Sequence, residues 1–241
     1  KIVEVNPDDK NQIINLGSSE GYYSRIVAGG SFGDLYAFNF EYDNQGRIKL
    51  DENKKPLKTA EPVFVGRIDP DFNLGWNNTL SYKHFSIGFL VNGVFGGNVL
   101  SYTEAMLDNY GVSKRSADAR DRGGVEVNAV MPDGTSVTSV DPESWYRAIG
   151  NINGILGAYV YDRTNIRLTQ FSLNYDIPVR NLNLPVKSAS IGLIGQNLLF
   201  LYRKAPYDPE LTMSAGSGSQ ALDNFNLPST RTYGFNIKVN F

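Results

Sequence analysis

The chain has 241 residues, 41% hydrophobic and 20% charged, with 23 Lys and Arg against 25 Asp and Glu for a net charge of -2. That balance excludes the broad basic footprint of a nucleic-acid binder, and the absence of Cys excludes disulfides and thiol chemistry. No run approaches the roughly 18–20 consecutive apolar residues of a membrane helix, whereas 14 Tyr, 13 Phe and 24 Gly favour strands and turns.

In chain order, the opening KIVEVNPDDK has neither an initiator Met nor an apolar signal region, so the chain is expected to be mature or part of a longer protein. GGSFG (29–33) lacks the Lys-Ser/Thr ending and the following helix of a phosphate cradle, and reads as a loop or hairpin. The first strand with clean period-2 alternation is FNLGWNNTLSY (72–82). Phe72, Leu74, Trp76, Leu80 and Tyr82 share one face, and Asn73, Gly75, Asn77, Thr79 and Ser81 share the other. FSIGFLVNGVF (85–95) repeats the scheme, with Phe85, Ile87, Phe89, Val91 and Phe95 opposed to Ser86, Gly88 and Asn92. Only Lys83 and His84 intervene, so a two-residue hairpin pairs Tyr82 with Phe85, Leu80 with Ile87 and Trp76 with Val91.

The third strand is expected over 163–177. Phe171, Leu173, Tyr175 and Ile177 alternate with Gln170, Ser172, Asn174 and Asp176, while Ile166 and Leu168 fall on the opposite parity and suggest a bulge. The fourth, 188–200, starts with Ala189, Ile191 and Leu193 against Ser188, Ser190 and Gly192. The fifth, 230–241, contains TYGFNIKVNF, with Tyr233, Phe235, Ile237, Val239 and Phe241 on one side. Connections alternate between short (83–84 and 178–187) and long (96–162 and 202–229), with 1–71 expected mostly outside, preceded by or ending a barrel strand.

Strict alternation of short and long connections is the habit of outer-membrane barrels, and the aromatic faces of these strands carry no charge. The opposite faces, rich in Ser, Thr, Asn, Gln and Gly, suit a watery or plugged lumen better than a dry core. Asn73, Asn77, Asn92, Gln170 and Asn174 are thus expected to face the lumen, and Tyr82, Phe85, Tyr175 and Phe241 to stand in an aromatic girdle near the short turns. The fold class is all-β, a transmembrane antiparallel barrel segment of five or six strands. So few strands cannot close a membrane barrel, and an open edge in lipid costs several kcal/mol per unpaired group. A soluble β-sandwich binding module is the competing fold.

The chain resembles the SusC/RagA-type TonB-dependent transporters of the Bacteroidetes outer membrane. The resemblance is carried by VAGGSFGDLYAFNF (27–40), GRIDPDFNLGWNNTLSYKHFSIGFLVNGVFGG (66–97), RTNIRLTQFSLNYDIP (163–178), GQNLLFLYRKAPYDPEL (195–211) and LPSTRTYGFNIKVNF (227–241). It implies the C-terminal part of a 22-stranded barrel with a plug, a SusD-like lipoprotein lid and TonB acting on an N-terminal part. The implied activity is non-enzymatic import of oligosaccharides or peptides across the outer membrane, the C-terminus periplasmic and the long loops extracellular. A scaffold role in a larger outer-membrane complex without import is the alternative. The resemblance further implies that the terminal aromatic strand, Tyr233 to Phe241, is read by the assembly machinery.

Against the family pattern, YDNQGRIKLDENKKP (42–56) keeps Asp43, Gly46, Asp51 and Glu52 of an acidic loop resembling a calcium site, but Gln45 and Arg47 interrupt it. A hard cation needs about six to eight oxygens, so a Gly-centred hairpin turn is the preferred reading and no metal or cofactor is expected. His84 is the only histidine, which excludes a Ser-His-Asp triad and any multi-histidine metal site in this chain. Trp145, Tyr146, Tyr159 and Tyr161 are candidates for stacking on a sugar or packing a peptide or the lid, with packing among the loops as the competing reading. Tyr207, Asp208 and Glu210 of YDPE are candidates for the substrate cavity or for an architectural turn. The mixed-charge run KRSADARDRGG (114–124) reads as a solvated or mobile loop tip.

Overall fold

A computed structural model describes residues 1–9, 12–179, 185–211, 213 and 219–241. The short connection 178–187 and the long connection 202–229 each include positions outside that set. The chain divides into two compact units, one made of Lys1–Asp69, Gly97–Asp162 and Glu210–Asn226, the other of Pro70–Gly96, Arg163–Pro209 and Leu227–Phe241.

The first unit begins with β1 (Ile14–Ser19), β2 (Tyr22–Ile26), β3 (Asp34–Ala37), β4 (Ile48–Lys49) and β5 (Val63–Arg67). Strands β1, β2, β3 and β5 pair in that order as an antiparallel sheet. Its first strand therefore belongs to a separate sheet, and among the described residues the opening of the chain supplies no sixth barrel strand. The second unit takes over with β6 (Phe72–Tyr82) and β7 (Phe85–Phe95). The chain then returns to the first unit for β8 (Asn98–Ser101), α1 (Tyr102–Asn109), α2 (Lys114–Arg122), β9 (Val125–Val130), β10 (Ser136–Val140), α3 (Pro142–Gly150), a 3-10 turn (Leu156–Tyr159) and β11 (Val160–Asp162). β12 (Asn165–Ile177) and β13 (Ser188–Arg203) belong to the second unit, β14 (Leu222–Asp223) to the first, and β15 (Thr232–Asn240) to the second.

The long connection 96–162 is thus not irregular loop. Each helix in it has local cause. Ser101 caps α1 by accepting from the Glu104 N–H at 3.1 Å, and Asp141 caps α3 by accepting from Ser144 at 2.8 Å, with Pro142 in the first turn. The run expected as a mobile tip is α2: Ser113 accepts from the Ser116 N–H at 3.0 Å, and Lys114 and Asp118 pair at i,i+4 across 2.7 Å. Arg120 and Arg122 sit in its last turn, where the helix dipole favours cations, and Gly123 ends it at φ +80°, a left-handed conformation a side chain would resist. That corrects the loop-tip reading, because both caps were present in the sequence. The unit's core is Tyr22, Leu35, Leu50, Val99, Leu100, Ile155, Leu156 and Leu222, all essentially inaccessible.

The second unit is one antiparallel sheet in the order β15-β13-β12-β7-β6. β6 and β7 meet with Tyr82 opposite Phe85, Leu80 opposite Ile87 and Trp76 opposite Val91, the register read from the alternation. Lys83 in the two-residue turn has φ +54°. β12 carries irregularities at Ile166/Arg167 and Leu168/Gln170, where the parity of its apolar residues switches. Because directly opposed residues point the same way, these registers fix the two faces. One carries Phe72, Leu74, Trp76, Leu80 and Tyr82, then Phe85 to Val91 on odd positions, Phe171 to Ile177, Ile191, Leu193, and Tyr233 to Val239. Phe72, Trp76, Phe85, Leu193, Phe235 and Ile237 are between 51% and 75% exposed, so no second layer covers this face as a β-sandwich would. Strands of 11 residues have the length that crosses a bilayer when tilted. Within this chain the sheet is not closed, and β6 and β15 stand at its two edges.

Candidate functional site

The opposite face of that sheet is the candidate site. The registers gather Asn73 and Asn77 of β6, Asn92 of β7, and Gln170 and Asn174 of β12 on it, joined by Gln196 of β13 and Asn236 of β15. Its surface is dense as well as polar: a Cβ added at Gly192 would collide with the side-chain oxygens of Asn174 and Asn236, and one at Gly88 with Ser172. Ser81 and Ser86 hydroxyls lie 2.9 Å apart across the first hairpin. Groups of this kind are satisfied by water or by a hydrogen-bonding ligand, and they offer both donors and acceptors without a strong field.

Charge is confined to the two ends of this face. At the end of the short connections, Asp176 of β12 and Lys238 of β15 both lie opposite Ser190 of β13. At the end from which both long connections leave, Arg167 of β12 lies opposite Phe200 of β13. Arg167 is buried and its guanidinium stands 4.2 Å from the centroid of the Phe200 ring while donating to Asp208 Oδ2 at 2.6 Å. Arg203 also lies over Phe200, 5.2 Å from the centroid. A buried pair of this kind survives desolvation because the guanidinium is both ion-paired and stacked. Sequence reasoning named Asp208 but neither arginine nor Phe200, because the bulge moves Arg167 and Phe200 off the simple alternation. Tyr207 is half-buried beside Asp208, whereas Glu210 lies half-buried in the other unit.

The four loop aromatics fall elsewhere. In the first unit, Trp145 on α3 stacks on Phe40 with ring centroids 5.5 Å apart, and it is 7% exposed. Tyr146 and Tyr159 are buried, and Tyr161 is half-buried. The focus is Asp108 at the end of α1, whose inaccessible carboxylate accepts from Ser113 Oγ at 2.5 Å, Arg115 Nε at 2.6 Å and Tyr159 Oη at 3.0 Å. Tyr161 donates to Glu104. Burial, then the Asp108 charge, pushes the Tyr159 hydroxyl far above its ordinary value; burial and the Glu104 bond do the same for Tyr161. Burial alone would lower the Arg115 guanidinium, but its hydrogen bond to and attraction by Asp108 raise it further. Trp145, Tyr146 and Tyr159 are therefore core residues of this unit, not surface rings set out for a ligand. Amphipathic α3 turns Trp145 and Tyr146 inward and the 3-10 turn Leu156–Tyr159 does the same for Tyr159, which is the packing among the loops rather than the stacking arrangement.

In the 42–56 turn, Asp43 accepts from the Gln45 and Arg47 N–H groups at 2.9 Å and pairs with the Arg47 guanidinium at 2.8 Å. Asp51 accepts from Asn53 and Lys55 at 2.8 Å in a second turn. Each carboxylate is occupied by its own turn, and among the described residues no three metal-ligating side chains converge.

No family model matches the chain. Among curated proteins, the chain is 28% identical over 235 residues, 94% of its length, to TonB-dependent receptor P3 of Formosa agariphila. It is 30% identical over 196 residues, 77% of its length, to TonB-dependent receptor P26 of the same organism. It spans about a fifth of the length of these relatives, 22% and 18% respectively. Among solved structures, the RagAB peptide importer shares the fold: the open-open state with a TM-score of 0.55 at 13% identity over 95% of this chain and 28% of that one. The closed-closed state gives 0.53 at 16% identity over 91% and 26%. These are names of receptors and importers, not of enzymes. The two-faced sheet and the sequence likeness agree: along nearly its whole length the chain is similar to part of the TonB-dependent receptors, and it shares the fold of part of the RagAB peptide importer.

Proposed function

We propose that this segment forms one side of the conduit of an active importer that moves oligosaccharides or peptides across the outer membrane. The remainder of the same barrel closes the sheet at β6 and β15 and encloses a plug, TonB acts on that remainder, and a SusD-like surface lipoprotein is the lid. The end bearing Arg167 and Arg203 faces the cell exterior, and the end bearing Tyr82, Phe85 and Phe241 faces the periplasm. One observation carries the reading: a single sheet with an uncharged, uncovered aromatic face on one side and a continuous Asn/Gln/Ser face on the other. Such a wall separates lipid from a watery passage, and polar groups without strong charge suit a cargo that must leave as well as bind.

The test is uptake by the host. Cells lacking the gene should fail to grow on, or to accumulate label from, at least one class among oligosaccharides and peptides, and the gene in trans should restore it. Unchanged uptake of both classes, together with loss of a co-assembled outer-membrane complex, would favour the scaffold role instead.

A further inference from the structure

At the end of the polar face assigned to the exterior stand Arg167 and Arg203, with Arg163 and Lys204 adjoining them in the chain. Arg167 is neutralised by Asp208 across 2.6 Å, with both side chains over nine-tenths buried. Arg203, at the end of β13 opposite Asn165, is exposed and forms no ion pair among the described residues. Its guanidinium rests over the Phe200 ring, 5.2 Å from the centroid, and Arg167 lies 4.2 Å from the same centroid. Stacking occupies the flat face of a guanidinium and leaves its in-plane N–H fork directed outward, while the ring limits how far the side chain wanders. Beside it, Asn165 is fully buried; its Nδ2 donates to the Arg163 carbonyl at 3.1 Å, and its Oδ1 has no partner among the described residues. Elsewhere on this face the long middle stretch is uncharged, and among the described residues Arg203 is the exposed arginine stacked on a ring near its exterior end, Arg163 beside it being half-buried.

We infer that Arg203, stacked on Phe200 and steadied by the Arg167–Asp208 pair, is a receptor for a carboxylate on the cargo, so that the importer prefers acidic oligomers to neutral ones. A planar fork and a carboxylate match two donors to two acceptors, which a lysine at the same place cannot do. The inference rests on the importer reading above. It names the charge of the cargo. The carboxylate can come from an acidic peptide or from a uronic-acid sugar, and the two sources are separated by experiment.

The full-length receptor, purified with whatever lid lipoprotein accompanies it, is titrated calorimetrically with two matched probe pairs. One pair is a glutamate-containing pentapeptide and its glutamine counterpart; the other is a short uronic-acid oligosaccharide and the neutral sugar of equal length. The same probes, labelled, are offered to cells. In the native protein the acidic member of one pair should bind about fivefold or more tightly than its neutral partner, a single partly solvated ion pair's worth. Which pair shows the difference identifies the source. Arg203→Gln should abolish the difference, and Arg203→Lys should retain only part of it, with outer-membrane levels of both variants equal to the parent. Equal binding and uptake of acidic and neutral members would overturn the inference while leaving the importer reading intact, as would an undiminished acidic preference in Arg203→Gln. If cells take up none of the four probes and no other peptide or oligosaccharide, the importer reading fails and this inference falls with it.

Discussion

Ile237 and Asn236 are chain neighbours with opposite surroundings. Ile237 lies opposite Ile191 on the aromatic face and is 64% exposed, whereas Asn236 lies opposite Gly192 among the amides. Arg at 237 should cost about 2–4 kcal/mol if that face meets lipid near mid-membrane, while Arg at 236 should be mild. Heat-modifiable migration of the full-length receptor in outer-membrane extracts reads the difference, and equal effects would show that the faces are misassigned. At Asp108 the expectation is of another kind. Removing its carboxylate in Asp108→Ala leaves the Arg115 cation only Glu104, 3.7 Å away, and takes the acceptor from the Tyr159 hydroxyl, at a cost of about 3 kcal/mol, the lower end for a broken buried pair because Arg115 is 37% exposed. Hydrogen exchange should then rise across α1, α2 and α3 and leave β12 and β13 unchanged.

The tyrosines of that cluster give a pH expectation. Tyr159 and Tyr161 titrate above the ordinary 10.0 in the folded unit, so the neutral hydroxyl is favoured by folding. That stabilisation is complete below pH 10 and is lost as pH climbs past it toward the folded values. Tyrosinate absorbance should therefore lag in two steps, with the buried hydroxyls ionising only as α1 to α3 lose protection. A single step at the ordinary value, with protection intact, would contradict the burial of these groups. The aromatic residues also show what the sequence hides: Trp145 and Tyr159 are rings in a polar stretch whether they face a ligand or a core, and only their partners Phe40 and Asp108, distant in sequence, decide which.

Among elements, the barrel strands were the most legible because each carries its own evidence. Period-2 alternation over 11 residues and a two-residue turn suffice to set β6 against β7, and the Tyr82–Phe85 register follows without any other part of the chain. The bulges of β12 announced themselves as a parity change, but where they lead Arg167 did not, since its place depends on pairing with both β7 and β13. The helices of the 97–162 insertion were missed for a different reason. They are eight or nine residues long, too short for a 3.6-residue period to stand out, and the charged α2 buries only Ser116 and Ala119. Its caps were the readable signal. Ser113→Ala should cost about 1 kcal/mol by leaving the Ser116 N–H without its acceptor. Faster exchange confined to 113–123 would show it; unchanged exchange there would mean that α2 is held by its neighbours alone.

At the scale of the molecule, the chain alternates between two units, one of which is a single two-faced sheet. The sheet's two faces follow from alternation and are continuous across five strands; its closure depends on protein beyond this sheet, because β6 and β15 each keep an edge that lipid would not tolerate. The chemistry of the polar face was only half legible. The neutral amides followed from parity, whereas the Arg167–Asp208–Phe200–Arg203 cluster needed a bulge, a strand end and a residue 41 positions downstream to meet. The central claim is that one face meets lipid and the other a water-filled interior, and cysteine scanning of β15 in the full-length receptor, in intact outer membranes, tests it most directly. With this chain free of native Cys, single cysteines at 232 to 239 are labelled by a water-soluble maleimide and by a lipid-partitioning one. The result expected is strict alternation, with 233, 235, 237 and 239 taking the lipid-partitioning reagent and 232, 234, 236 and 238 the water-soluble one; uniform labelling by either reagent, or the reverse parity, would contradict it.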